Sequence, residues 1–538
     1  MREIAVIMNA LRSFRLGLGA LLVGLVAVTA GCSAASDEES VSGDSDLTSL
    51  TARSRTLEFV GTVYVDKNAN ADAIMSAVRA QAQTAFGPLR TSNIAVNSRE
   101  LKDIDASTFQ KRTVRVIDTS KTNDRGTDMT EVHYTYKDDA VVGLEYSTRT
   151  AAPLAVMNPS YRTQTDRVLA ECTANDDEAH EFLGQIWYVF EPRIASCQAA
   201  IKKEQVAIDA DRQKLADPLN QIAKSETTRL YLPIEAKLGA DKTNQGKSYP
   251  EYQRLYAGGV RPDKLVISLV YGLIDHDHSN GTANDFNWGE LMTNLSQVVD
   301  AQDGFRVVPG PDDVDLSSFT LASGKKVDRP SIKDLVHVHD GSDSLGLSSA
   351  DQQDLDKQLA DRMYRKWVAI ERPIKVKIGD QAERDFGVQL LVYFGAESDS
   401  TPHKFAIKNS DVFLYNGHSY IGYGPLDPSN FNSSDFPSSY QILWIDGCVS
   451  YNYYEKDYIP LKQGGTKNLE LVTNGIEAPS WRSGYAMGQF VKTLLDGQNA
   501  SYSDLLAAAK DTDPLRVVDG EIDNEFSPDR FPIAITGR

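Results

Sequence analysis

Positive charge is in short supply in this 538-residue sequence: 56 lysines and arginines stand against 75 aspartates and glutamates, a net of −19. Nucleic acid and anionic lipid both select a basic face, so the shortfall argues against either as a partner; an acidic surface mainly favours solubility. Cysteine is scarce as well, with four in the whole chain, so each can be assigned separately. Between Ser33 and about Arg55 apolar residues almost disappear, leaving too little burial to offset ordering entropy, and that stretch is expected to be a tether. Over the whole chain the composition is that of a globular protein, 41% apolar and 24% charged. The length suffices for two or three domains with ordinary cores.

The N-terminal residues read as a targeting segment rather than fold. Arg2, Arg12 and Arg15 precede an uninterrupted apolar or small stretch from Leu16 to Ala30, followed by Gly31-Cys32. This order resembles a bacterial lipoprotein signal over residues 1–31, although Thr29 stands where that family usually carries Leu. The resemblance implies cleavage before Cys32, a diacylglycerol on its thiol, and a tether over 32–55. The membrane is then met through the N-terminal lipid only. Because Ser33 rather than Asp follows the cysteine, Gram-negative sorting would deliver the protein to the outer membrane. An ordinary signal peptide and a single membrane anchor are the alternatives. Export would expose thiols to oxidants, making Cys172 and Cys197 the expected disulfide and leaving Cys448 over.

Two folded regions differ in rhythm. Residues 56–225 read as an α+β domain: strands at Leu57–Val65, Thr113–Asp118, Thr130–Tyr136 and Val141–Thr148, with Asp138-Asp139 as a turn between the last two. A helix is expected over Ala71–Phe86, then helical chain from Asp166 containing a long solvated helix, Ala199–Lys224. Nothing in this region looks catalytic. Residues 226–538 carry five apolar runs, each stopping at glycine: Leu265–Gly272, Val388–Gly395, Val412–Gly417, Gln441–Gly447 and Leu469–Gly475. Helical patterns lie among them at 285–299, 349–370 with Ser349 as N-cap, 483–495 and 503–510. Strands alternating with helices predict an α/β fold, a mostly parallel sheet flanked by helices, with ligands in the crevice outside the strands' carboxyl ends.

Two of these runs end in a reactive side chain. Gly417-His418-Ser419 follows the third, and Gly447-Cys448 follows the fourth. A cysteine peptidase needs a thiol nucleophile, an imidazole to manage its proton, and backbone donors for the oxyanion. Order and setting resemble the caspase-like cysteine peptidases, in which an apolar strand ends in His-Gly and the next in a small residue before the catalytic Cys. That resemblance covers roughly 260–538 as a pattern and is closest to the gingipain and metacaspase branch. It implies His418 as general acid/base, Cys448 as nucleophile, the amides of Ser419 and Cys448 as the oxyanion hole, a peptide or protein substrate, and no cofactor. The sequence departs from the family in three places. Ser419 replaces the usual glycine, the two residues lie 30 positions apart where caspases have ~50, and Asp446-Gly447-Cys448 is not the caspase Gln-Ala-Cys. The loop between them, Tyr420–Ser439, is rich in Pro and Ser and lacks a helical period, as a substrate-contacting flap would.

Other assignments compete. A catalytically inactive surface lipoprotein could use the same fold for binding, with Cys448 a small core residue. His276-Asp277-His278 and His337-Val338-His339 are two His-x-His pairs; strand alternation would put both imidazoles of a pair on one side, as a metal-dependent hydrolase needs. No third ligand is apparent, so no metal residue is assigned. Asp275–Asp285 begins like a calcium loop but lacks glycine at its sixth place and Glu at its twelfth. Trp444 reads as core and Trp481 as a core or pocket-wall residue.

Overall fold

In the computed structural model the chain is described over residues 47–275, 282–342, 344–396, 399–496, 499–510 and 515–536. The signal, Cys32, the first part of the tether and the His276/His278 pair lie outside these residues. The tether expected to reach Arg55 ends sooner. Leu47 is buried, Thr48 exchanges backbone hydrogen bonds with Val518, and the first strand starts at Ala52.

The front sheet is built from β1 (Ala52–Asp66), β2 (Ile94–Val96), β3 (Gln110–Ile117), β4 (Thr127–Gly143), β5 (Ala151–Met157), β6 (Gln221–Ala223) and β7 (Tyr231–Leu238). Its order is β5-β7-β1-β4-β3-β6, with β2 paired to β4. Alternation of Leu57, Phe59, Val63 with more polar residues buries one face of β1 against helix Ala71–Gln83, which Asn70 caps through Ala73 N.

Three expectations for this region need correction. Asp138 and Asp139 make no turn; they pair with Leu57 and Thr56 inside one continuous β4, where the Asp138 carboxylate accepts from Ser98 N–H and the Tyr136 hydroxyl. The long helix begins at Ala195 and stops at Arg212, Asp217-Pro218 bars helical backbone from resuming beyond it, and Gln221–Ala223 returns as β6. The front sheet also passes the boundary at 225. β7 lies between β5 and β1, and Pro233 is tolerated there because β1 pairs with β7 only over Leu57–Phe59, at the other end of β7. Ser45–Arg538 forms one compact unit.

The back sheet contains β8 (Lys264–Gly272), β9 (Arg306–Val308), β12 (Trp367–Ile378), β13 (Arg384–Gly395), β14 (Val412–Asn416), β15 (Gln441–Asp446), β16 (Leu469–Asn474), β17 (Arg516–Asp519) and β18 (Ile533–Thr536); β10 (Ser318–Thr320) and β11 (Lys326–Asp328) form a separate ribbon. The five glycine-terminated runs are its five contiguous parallel strands, ordered β16-β15-β14-β8-β13. β17 and β12 flank them antiparallel. The molecule is therefore α/β with a mixed sheet.

The helix expected over 349–370 ends at Met363 and is capped by Ser348, not Ser349; its last residues belong to β12, where Trp367–Ile370 pair with Leu390–Tyr393. Alternation sorts the core. Val412 and Leu414 of β14 face helices Phe286–Ala301 and Ser480–Asp496, whereas Phe413 and Tyr415 belong to a second core that continues into the front sheet. One apolar mass thus joins the two sheets.

Candidate active site

β14 and β15 are parallel neighbours with Asn416 opposite Asp446, so His418 and Cys448 each leave the sheet two residues beyond a register pair, at the same edge. Their loops touch. A Cβ built on Gly447 would stand 3.2 Å from Ser419 Cβ and 3.5 Å from the Gly417 carbonyl oxygen, a fit that only glycine permits without displacement.

β8 lies on the other side of β14, which brings its exit loop to the same edge. His418 Nε2 lies 3.3 Å from the Ile274 carbonyl oxygen. With the proton on Nε2, the ring donates there. The His418 carbonyl accepts the Tyr415 hydroxyl at 2.9 Å, and the Ser419 carbonyl accepts the Tyr454 hydroxyl at 3.0 Å and Gly422 N–H at 2.8 Å. Tyr420 and Ile421 follow in the left-handed region at φ 50° and 54°, with the Tyr420 ring 5.6 Å from the His418 ring.

Cys448 joins β15 to helix Ser450–Tyr458 through Val449, which holds φ 54° and ψ 32°. A β-branched residue in the left-handed region costs on the order of 1–3 kcal/mol and persists only where neighbours fix it. Here the Val449 amide donates to Ile476 O, the Ser450 hydroxyl donates to Ile445 O, and Asn474 N–H donates to Ser450 Oγ. Asn474 Nδ2 also donates to the Asp446 carboxylate at 2.7 Å and to Gly447 O at 3.2 Å. Beneath the turn Asp446 pairs with Arg516 at 3.1 Å, both side chains almost fully buried, and the Arg516 guanidinium lies 4.3 Å from the centre of the Trp444 ring.

The Cys448 side chain packs against the core that joins the two sheets. Cys448 is the one free cysteine among the described residues and is half-buried. Burial pushes its thiol up to about 11, the Glu477 carboxylate adds to the rise, and the Ala478 amide and Arg90 oppose it. Residues of the front region reach this edge as well. Arg90 pairs with Glu477 and, at 2.9 Å, with Glu178; its guanidinium lies 4.5 Å from the centre of the Tyr188 ring, and the Tyr188 hydroxyl donates to Glu477 at 2.9 Å.

No protein-family model, curated protein or solved structure matches this chain.

The remaining assignments fall as follows. Cys172 and Cys197 form a disulfide. His337 and His339 are not on a strand but in the turn after helix Ile332–Val336, and they face different carboxylates: His337 meets Asp300 at 2.9 Å and Asp340 at 3.3 Å, His339 meets Asp356 at 2.9 Å. Among the described residues, no three His, Cys, Asp or Glu side chains are grouped to hold a metal ion. Asp285 of the calcium-like loop caps helix Phe286–Ala301, accepting from Asn287 N–H and Asp275 N–H at 2.9 Å. Trp444 is buried in β15, and Trp481 is 66% exposed. Ile274, Tyr415, Tyr454, Glu477 and Arg90 were missed as contributors to this edge. Only Gly475, the glycine that stops the fifth apolar run, marked the 475–479 loop in advance.

Proposed function

We propose that the chain is an exported, lipid-anchored cysteine peptidase-like protein of caspase-like architecture, hydrolysing peptide bonds with Cys448 and His418. The observation that carries this reading is the contact of the two loops, through Gly447 and Ser419, at the carboxyl ends of adjacent parallel strands. The left-handed Val449 supports it, since strain of this kind concentrates where a side chain must be presented.

In this reading His418, with Nε2–H on Ile274 O, takes the thiol proton on Nδ1 as Cys448 Sγ attacks the scissile carbonyl carbon. The amides of Ser419 and Cys448 donate to the oxyanion, and His418 returns the proton to the leaving amine. Water then hydrolyses the thioester. Because the resting thiol titrates near 11, proton removal accompanies attack rather than preceding it. The lipid on Cys32 would hold the enzyme at the outer membrane. No helix among the described residues is long and apolar enough to cross a membrane.

A second reading, a catalytically silent envelope protein that uses this fold for binding, is favoured by the same core-packed, protonated thiol. Iodoacetamide labelling of Cys448 in the natural chain and in His418→Ala separates the two. The peptidase reading expects fast labelling that His418→Ala slows; slow labelling that is identical in both supports the silent protein.

A further inference from the structure

The loop that starts at His418 and Ser419 is held from outside the back sheet. Arg99 lies in the segment of the front region that follows β2. Its Nη1 meets Asp427 Oδ1 at 3.1 Å, its Nη2 donates to the Gly422 carbonyl, and its guanidinium lies 3.9 Å from the centre of the Tyr423 ring. Lys102 of the same segment donates to the Tyr423 hydroxyl at 2.8 Å. These partners span residues 422–427, immediately after the left-handed pair Tyr420 and Ile421.

Two adjacent non-glycine residues in that region are disfavoured, so the conformation needs an external clamp. Fit at Gly422 points the same way: with φ +77°, a Cβ there would stand 3.0 Å from Arg99 Nε and from Tyr453 Cβ. The clamp is itself anchored. Asn452 Nδ2, on the helix that follows Cys448, donates to Val96 O at 2.9 Å and Ser98 O at 2.7 Å, and Asn452 Oδ1 accepts Glu100 N–H. One segment of the front region, 96–102, therefore binds both the loop that carries His418 and the helix that starts beyond Cys448.

We propose that Arg99 is a positioning residue for His418, acting across the interface by holding Gly422, Tyr423 and Asp427 so that Tyr420 and Ile421 keep the imidazole beside the Ile274 carbonyl. The inference rests on the dyad reading. A planar fork that bonds a carbonyl and a carboxylate while stacking on a ring is a task lysine does only in part. The front region then completes the site rather than merely adjoining it.

The test uses the full chain in three variants, His418→Ala, Arg99→Ala and Arg99→Lys, each checked by thermal melting. The rate of iodoacetamide labelling of Cys448 is followed from pH 5 to 10. Displacing the imidazole should cost about tenfold to hundredfold of the His418-dependent rate in Arg99→Ala, with the acid limb of the profile shifted, and Arg99→Lys should recover part of it. If His418→Ala slows labelling while Arg99→Ala lowers only the melting temperature and leaves the pH profile in place, Arg99 is structural and the positioning role is wrong. If His418→Ala itself changes nothing, the dyad reading has failed, and the positioning role falls with it. Should Arg99→Ala not fold, Tyr423→Ala removes the stacking partner from the loop side and must show the same loss for the proposal to stand.

Discussion

Gly447 and Ser419, residues of different loops, meet so closely that a single methyl on the glycine would press on the serine's Cβ at 3.2 Å. Gly447 has no left-handed backbone requirement, so its constraint is purely one of space. The consequence is a rigid pairing of the two loops that carry the reactive side chains.

Gly447→Ala should therefore destabilise by roughly 1–3 kcal/mol through overpacking. Urea unfolding would show the midpoint falling with an unchanged slope, and Cys448 labelling should lose its dependence on His418 as the loops part. An alanine variant of natural stability and reactivity would mean that the loops yield freely.

Reactivity of Cys448 should rise with pH through the neutral and alkaline range, since the thiol, pushed up to about 11, gives up its proton more readily as pH climbs. Glu477→Gln removes the neighbouring negative charge and should move the labelling midpoint to lower pH. The raised thiol also affects stability. Its contribution is fully present below the unfolded value near 8.5 and is lost as pH rises toward 11, so a melting series above pH 9 should fall less steeply in Cys448→Ala.

Arg516→Met leaves Asp446 buried without its cation directly beneath the turn. A loss of about 3–5 kcal/mol is expected, as for other buried pairs broken on one side. The paired replacement Asp446→Leu with Arg516→Met should recover much of it, and calorimetry of the two variants checks both statements. Natural stability in Arg516→Met would show that the pair contributes nothing.

Stability should fall as pH rises from the ordinary carboxylate range to about 8. Burial raises Glu521 to about 8 and Glu290 to about 7, and a carboxyl raised in the folded state contributes stability at low pH that is lost as pH passes through its folded value. Glu521 accepts the Thr48 hydroxyl at 2.6 Å, which ties the start of the described chain to the loop after β17. Glu521→Gln keeps an acceptor and removes the titration, so melting temperatures measured from pH 5 to 9 should flatten in that variant.

Much of the back sheet was legible in the sequence. Five apolar runs, each stopped by a glycine, became five contiguous parallel strands, because a strand buried on both faces must be apolar throughout. β12 was missed because Trp367–Ile370 directly follows a helical pattern and carries no glycine or proline to mark the change. In the front region, local chemistry misled at Asp138-Asp139. Two aspartates signal a turn on their own, but pairing with β1 and bonds to Ser98 and Tyr136 hold them in a strand.

Sequence by itself determined which strands would carry the two candidate residues, His418 and Cys448, since apolar period and terminal glycine are local properties. Tertiary structure alone decided that those strands are neighbours, that Gly447 seats against Ser419, and that Arg90 and Arg99, more than 300 positions away in the chain, reach the same edge. Strand order and charge environment depend on how distant segments pack. A thiol's titration is set by the atoms that surround it, and no spacing along the chain records which these will be.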